Sequence, residues 1–201
     1  MDTVEIGCCT AFEGSRRIAN GELAEVALAV KAAIDRGATE PVLIFDDGTA
    51  KLIEVDFRGS ADDVRRRLKQ PAKSEAAASA TADTAPEDSK RPGRPKLGVI
   101  GREVTLLPRH WDWLNGQPGG ASVALRKLVD EARRANEDTD RKRKSRDTAY
   151  RFMAAMAGDR PGFEEASRAL FAGDGERFQT LIDVWPADVR DHTGKLADAA
   201  F

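Results

Sequence analysis

The 201-residue sequence has only two cysteines, and they are neighbours, Cys8 and Cys9. Adjacent cysteines rarely bridge each other because the geometry is strained. A disulfide-stapled secreted fold is therefore not expected, and the pair reads as two half-buried thiols in a reducing cytoplasm. Two histidines, His110 and His192, and the lack of spaced cysteine pairs give no metal-finger signature. Aromatics are scarce at 6%, and they do not interleave with basic residues as in a single-strand-binding sheet. No apolar run approaches the roughly 18–20 residues of a membrane helix. Met1–Thr10 lacks a basic region followed by an apolar stretch, so no secretory signal is expected. Absent too are a Gly-rich phosphate loop with a following Lys-Ser/Thr, a Gly-x-Ser-x-Gly elbow and a His-Glu-x-x-His pair. These absences make an enzyme the least favoured class, and no cofactor or metal is implied.

What the sequence does have is charge, at 33%, and its distribution is uneven. Residues 1–87 carry 11 Lys/Arg against 16 Asp/Glu, residues 88–146 carry 15 against 8, and residues 147–201 carry 6 against 10. The chain is thus acidic, basic, acidic. A basic middle suits an anionic partner, or it is neutralised by the two acidic ends within the fold or across a dimer.

Periodicity divides the chain into four parts. Residues 1–69 read as a small α+β domain of strand, helix, hairpin and helix. Cys8–Phe12 is the strand. Glu22–Arg36 is the helix, with Leu23, Val26, Ala27, Val30 and Ile34 on one face and Gly37 as a stop. Val42–Phe45 and Leu52–Phe57 form the hairpin around Asp46-Asp47-Gly48-Thr49. Ser60 caps a short helix whose first turn holds Asp62 and Asp63. Both acid pairs therefore read as turn and cap chemistry rather than catalysis. Residues 70–89 lack any large apolar side chain and are expected to be a disordered linker. Residues 90–136 hold a basic Pro/Gly stretch, a strand at Glu103–Leu107, a short helix at Arg109–Gly116 and a longer helix at Ala121–Ala135. After a charged run at Asn136–Ser145, residues 137–201 form a helical domain. Its core is expected to include Phe152, Met153, Phe163, Leu170, Phe171, Phe178, Ile182, Trp185, Val189 and Leu196.

Two short segments carry resemblances. Val104-Thr105-Leu106-Leu107-Pro108, then Trp111 and Leu114, then Gly119-Gly120-Ala121-Ser122 and Ala124–Val129 resemble the ribbon-helix-helix family of bacterial DNA-binding dimers. That resemblance implies a homodimer whose paired strands enter the major groove, with a phosphate held at the start of the second helix. Glu103, Thr105 and Leu107 would face outward, so base readout by the ribbon is expected to be modest. Lys90-Arg91-Pro92-Gly93-Arg94-Pro95-Lys96 resembles an AT-hook, which implies arginines drawn into a narrow A/T-rich minor groove. A stiff basic linker and a packing-only strand-helix-helix are the alternatives. The DNA-binding candidates are Lys90, Arg91, Gly93, Arg94, Lys96, Arg102, Thr105, Ser122, Arg126, Lys127, Arg141, Lys142, Arg143 and Lys144. The preferred expectation is a homodimeric DNA-binding regulator acting in transcription or nucleoid organisation, with RNA left open. The alternatives are a protein–protein adaptor whose acidic end domains bind a partner, and an enzyme with its site in the N-terminal domain.

Across its length the sequence also resembles a bacterial family known as a domain of unknown function, family 2239. The residues that carry this are Leu43–Asp47 with Val55–Gly59, Arg94–Val99, Leu106–Leu114, Gln117–Ser122 and Trp185–Asp188. The resemblance implies an unfused bacterial protein and supplies no activity or site.

Overall fold

A computed structural model describes residues 7–69 and 102–201. The expected linker at 70–89 and the hook-like segment at 90–96 lie outside the described residues. The fold is α+β, with a mostly helical C-terminal region. Its described residues divide into two units, residues 7–69 with 136–201, and residues 102–135.

The first unit is built on a three-stranded antiparallel sheet of β1 (Cys9–Glu13), β2 (Arg16–Gly21) and β3 (Val42–Asp46), in the order β2-β1-β3. The central strand β1 is buried along Cys9–Phe12 because both its faces are covered. Cys9, Ala11 and Ile44 point one way and pack with Val26 and Val30 of α1 (Leu23–Asp35). Phe12 and Phe45 point the other way, into a core with Phe152, Met153, Leu170, Phe178, Ile182, Trp185 and Val189. The two-residue period of a strand thus assigns alternate side chains to two different cores.

The helices of the second core are the last part of α4 (Gly120–Ala157), then α5 (Phe163–Ala172), α6 (Gly175–Ile182) and α7 (Ala187–Ala197), followed by a short 3₁₀ turn at Asp198–Ala200. The expectation of separate N- and C-terminal domains is therefore corrected, because Phe12 and Phe45 complete the helical core. Phe171 is half exposed beside Tyr150 rather than in that core. Ile34 is likewise exposed, and Ala33 takes the buried place on α1.

Several element boundaries differ from expectation. The hairpin is β1–β2, turning at Gly14 with φ +54°, and β2 was not expected at all. The hairpin expected at 42–57 reduces to one bridge, Phe45 to Leu52. Beyond it Ile53, Val55 and Phe57 still turn inward against the α1-side core. The alternating pattern there satisfies packing without a hydrogen-bonded ladder. Helix α2 (Ala61–Lys69) starts as expected. The amide of Ser60 donates to Asp63 Oδ2 at 2.9 Å, and the Asp63 amide donates to Ser60 Oγ at 3.3 Å. Of the two thiols, Cys8 is exposed and Cys9 buried.

The second unit contains α3 (Pro108–Asn115) and the first turns of α4. The charged run at Asn136–Ser145 is no break. It continues α4, which is 38 residues long. Glu103–Leu107, expected as a strand, forms no ladder with any other described residue.

Candidate functional site

The polar centre of the first unit starts from one residue out of character. Thr10 is a fully buried polar side chain between the buried Cys9 and Ala11 of β1. Its register partner on β2 is Asn20, on the same face of the sheet. The chain leaving β3 brings Asp47 alongside both. Thr10 Oγ1 donates to Asp47 Oδ1 at 2.6 Å, and Asn20 Nδ2 donates to Asp47 Oδ2 at 3.1 Å and to Thr10 Oγ1 at 2.7 Å. From α7, Lys195 Nζ donates to Asp47 Oδ2 at 3.0 Å. The neighbouring Asp46 does keep the expected turn role, accepting from Thr49 Oγ1 at 2.6 Å and from the Ala50 amide at 2.7 Å.

His192, one turn before Lys195, is 1% exposed. Its ring packs at angles of 62° and 68° against Phe152 and Phe12. Its Nε2 is 4.0 Å from Asp47 Oδ1, and neither ring nitrogen has a hydrogen-bond partner among the described residues. Burial pushes the imidazole down to about 4, against the pull of Asp47, so the ring is neutral at pH 7. Burial pushes Asp47 up, but hydrogen bonds from Thr10 and Lys195 and the Lys195 charge outweigh it, so the carboxyl stays below its ordinary value. Burial, then Asp47 and Asp46, push the Cys9 thiol up to about 11, which holds it protonated and unreactive at neutral pH. The centre is a neutral imidazole and a fully held carboxylate, without an activated nucleophile.

On its outer side this centre opens into a cleft of about 290 Å³. Arg141 and Lys144 of α4 and Lys195 of α7 line it, with Asp47 and Asp198. Arg141, Lys144, Ser145 and Thr148 fall at i, i+3, i+4 and i+7, one face of the helix. Ser145 Oγ donates to the Leu196 carbonyl at 2.7 Å and Thr148 Oγ1 to the Gly48 carbonyl at 3.4 Å, which fixes that face against α7 and the turn.

The structure thus brings Arg141 and Lys144 together with Lys195, which sequence reasoning did not include. Arg143 is exposed and paired with Asp140, and Lys142 is half-buried; neither lines the cleft. In the other unit, Ser122, Arg126 and Lys127 are exposed on the first turns of α4, and Arg102 and Thr105 are exposed on the irregular segment before α3. Lys90, Arg91, Gly93, Arg94 and Lys96 lie outside the described residues. Sequence reasoning missed Thr10, Asn20, His192 and Lys195. Two signals were present: a threonine inside an apolar strand, and a histidine three residues after Val189 and four before Leu196 on one helix face.

Among the described residues no helix is long and apolar enough to cross a membrane, and no three metal-ligating side chains cluster. Residues 8–197 match the model of a family described as "Uncharacterized protein conserved in bacteria (DUF2239)". No curated protein and no solved structure matches the chain.

Proposed function

The chain belongs to the bacterial family DUF2239, and from that premise we propose that it is a homodimeric DNA-binding protein that grips phosphates through its basic middle segment. The observation that carries the reading is the make-up of residues 102–135. They bury only Leu114 and Ala124, and leave Val104, Leu107, Trp111, Trp113, Leu128 and Val129 exposed. An apolar surface of that kind calls for a protein partner. Glu103–Leu107, with no ladder to the other described residues, offers its backbone groups to a second copy. Exposed Arg126 and Lys127 stand on the same helix as Leu128 and Val129. A dimer formed through the apolar surface would therefore carry two copies of this cationic helix start, suited to phosphates on a duplex.

Light scattering at micromolar concentration is expected to give a dimer. A labelled duplex titrated at two salt concentrations is expected to bind more weakly at the higher salt, because counterions are released on binding. A dimer that binds no duplex even at about 50 mM salt would discard DNA binding and leave the adaptor reading. A monomer would remove the ribbon.

A further inference from the structure

We propose that the cleft between α4 and α7 is a binding site for a phosphate group, presented as a phosphomonoester or a diphosphate. The proposal does not rest on duplex binding. Its first support is convergence: Arg141 and Lys144 meet Lys195 from more than fifty positions away in sequence, in a cleft of about 290 Å³, room for a phosphate-bearing group. Its second support is the state of the charges. Lys144 has no carboxylate partner among the described residues, whereas Arg141 and Arg143 on the same stretch take Asp138 and Asp140 at 2.8 Å. Asp47 is already held by Thr10 and Asn20. The Lys195 side chain is 57% exposed, so it can turn from Asp47 to a ligand without leaving that carboxylate bare.

The third support is the framework. Ser145 and Thr148 pin the cationic face of α4 to the Leu196 and Gly48 carbonyls, so Arg141 and Lys144 project from a fixed wall. A cationic side chain presented by a rigid element loses less freedom on binding than one on a loop. Arg141, Lys144 and Lys195 line the cleft with Asp47 and Asp198, and with Asp138 on Arg141 it is Lys144 that stands without a carboxylate among the described residues. A phosphate suits this set better than a single carboxylate, since each phosphate oxygen accepts more than one charge-assisted hydrogen bond.

The test is a titration of the full chain with pyrophosphate at constant ionic strength, followed by amide NMR. Saturable shifts are expected at Gly48, Ser145 and Ala199. Affinity should fall by about tenfold or more in Lys144→Ala, as for one lost charge-assisted contact, and by a similar factor in Lys195→Gln. Arg143→Ala, on the same helix but off the cleft, should change it less than about twofold. Unshifted thermal midpoints of the variants establish that the fold is intact. Linear, unsaturable shifts, or equal losses from Lys144→Ala and Arg143→Ala, would overturn the site in favour of diffuse attraction. Competition separates the source of the phosphate. Displacement of pyrophosphate by a duplex assigns the site to a nucleic-acid backbone. Pyrophosphate binding with no duplex binding keeps the site for a free phosphorylated molecule while the DNA reading falls.

Discussion

His192 sets the acid sensitivity of the first unit. Both of its ring nitrogens are buried without hydrogen-bond partners among the described residues, so protonation in the folded state adds a charge that burial penalises. The imidazole is pushed from 6.5 down to about 4. Between those values the unfolded chain takes up a proton that the folded chain refuses. Stability is full above about pH 6.5 and declines as pH falls through the window to about 4, by roughly 3 kcal/mol in all. Asp47 acts in a different window. Its carboxyl lies below its ordinary 3.8, so its contribution is fully present above 3.8 and is lost only as pH falls below that. Urea unfolding at a series of pH values should show the upper window in the natural protein. His192→Phe should flatten it and, by removing two unpartnered polar atoms, leave stability at pH 7 unchanged or raised by about 1–2 kcal/mol. A slope that persists in the variant would assign it to another group. Asp47→Ala, which strands Thr10, Asn20 and Lys195 together, should instead cost roughly 2–4 kcal/mol at pH 7.

At the scale of elements, α4 carries both the dimer reading and the cleft, and its length was the least legible feature. The run Asn136–Ser145 is dense in charge, which reads as a break. Yet no Gly or Pro stands between Ala121 and Ala157, and Arg, Lys and Glu are good helix formers. Asp138 with Arg141 and Asp140 with Arg143, each three residues apart, add local support along the helix. The apolar period of α1 and the buried Leu170, Phe178, Ile182 and Val189 of α5, α6 and α7 were legible in the sequence. Strand β2, Arg16–Gly21, was not, because an edge strand with only Ile18 and Ala19 among arginines, Asn and Gly has no apolar alternation to detect. Basic elements also differ in what they can read. Lys127→Ala should weaken all duplexes alike and flatten the salt slope by about one unit, the mark of one lost phosphate contact. Arg94→Ala should weaken A/T-rich duplexes more than G/C-rich ones, because only a narrow minor groove has the potential that draws an arginine in. Equal affinity of the Arg94 variant and the natural protein for both duplexes would reduce residues 90–96 to a connector.

For the whole molecule, the question is which pieces fold alone. The composition shift at residue 70 suggested an independent N-terminal domain, and nothing local in residues 1–69 signals otherwise. The signal is non-local: among the described residues 7–69, Phe12 and Phe45 on one sheet face have no aromatic partner except each other. Their rings lie 5.4 and 5.0 Å from Phe152 of α4. Each fully buried phenylalanine contributes about 1.5–3 kcal/mol relative to exposure, and Ala50 and half-buried Leu43 pack at the same surface. A piece of some seventy residues has only about 4–10 kcal/mol of net stability. Uncovering that face therefore removes most or all of it. Residues 1–89 expressed alone should show no cooperative thermal transition and poorly dispersed amide NMR signals. Residues 90–201 alone should bind a dye for exposed apolar surface, since their core has lost the sheet. Co-expression of the two pieces should restore one complex with a single transition. A cooperative transition and dispersed spectrum for residues 1–89 by themselves would mean that the α1-side core, Cys9, Ala11, Val26, Val30 and Ile44, is sufficient, and that the Phe12–Phe45–Phe152 contact joins two folded domains rather than completing one.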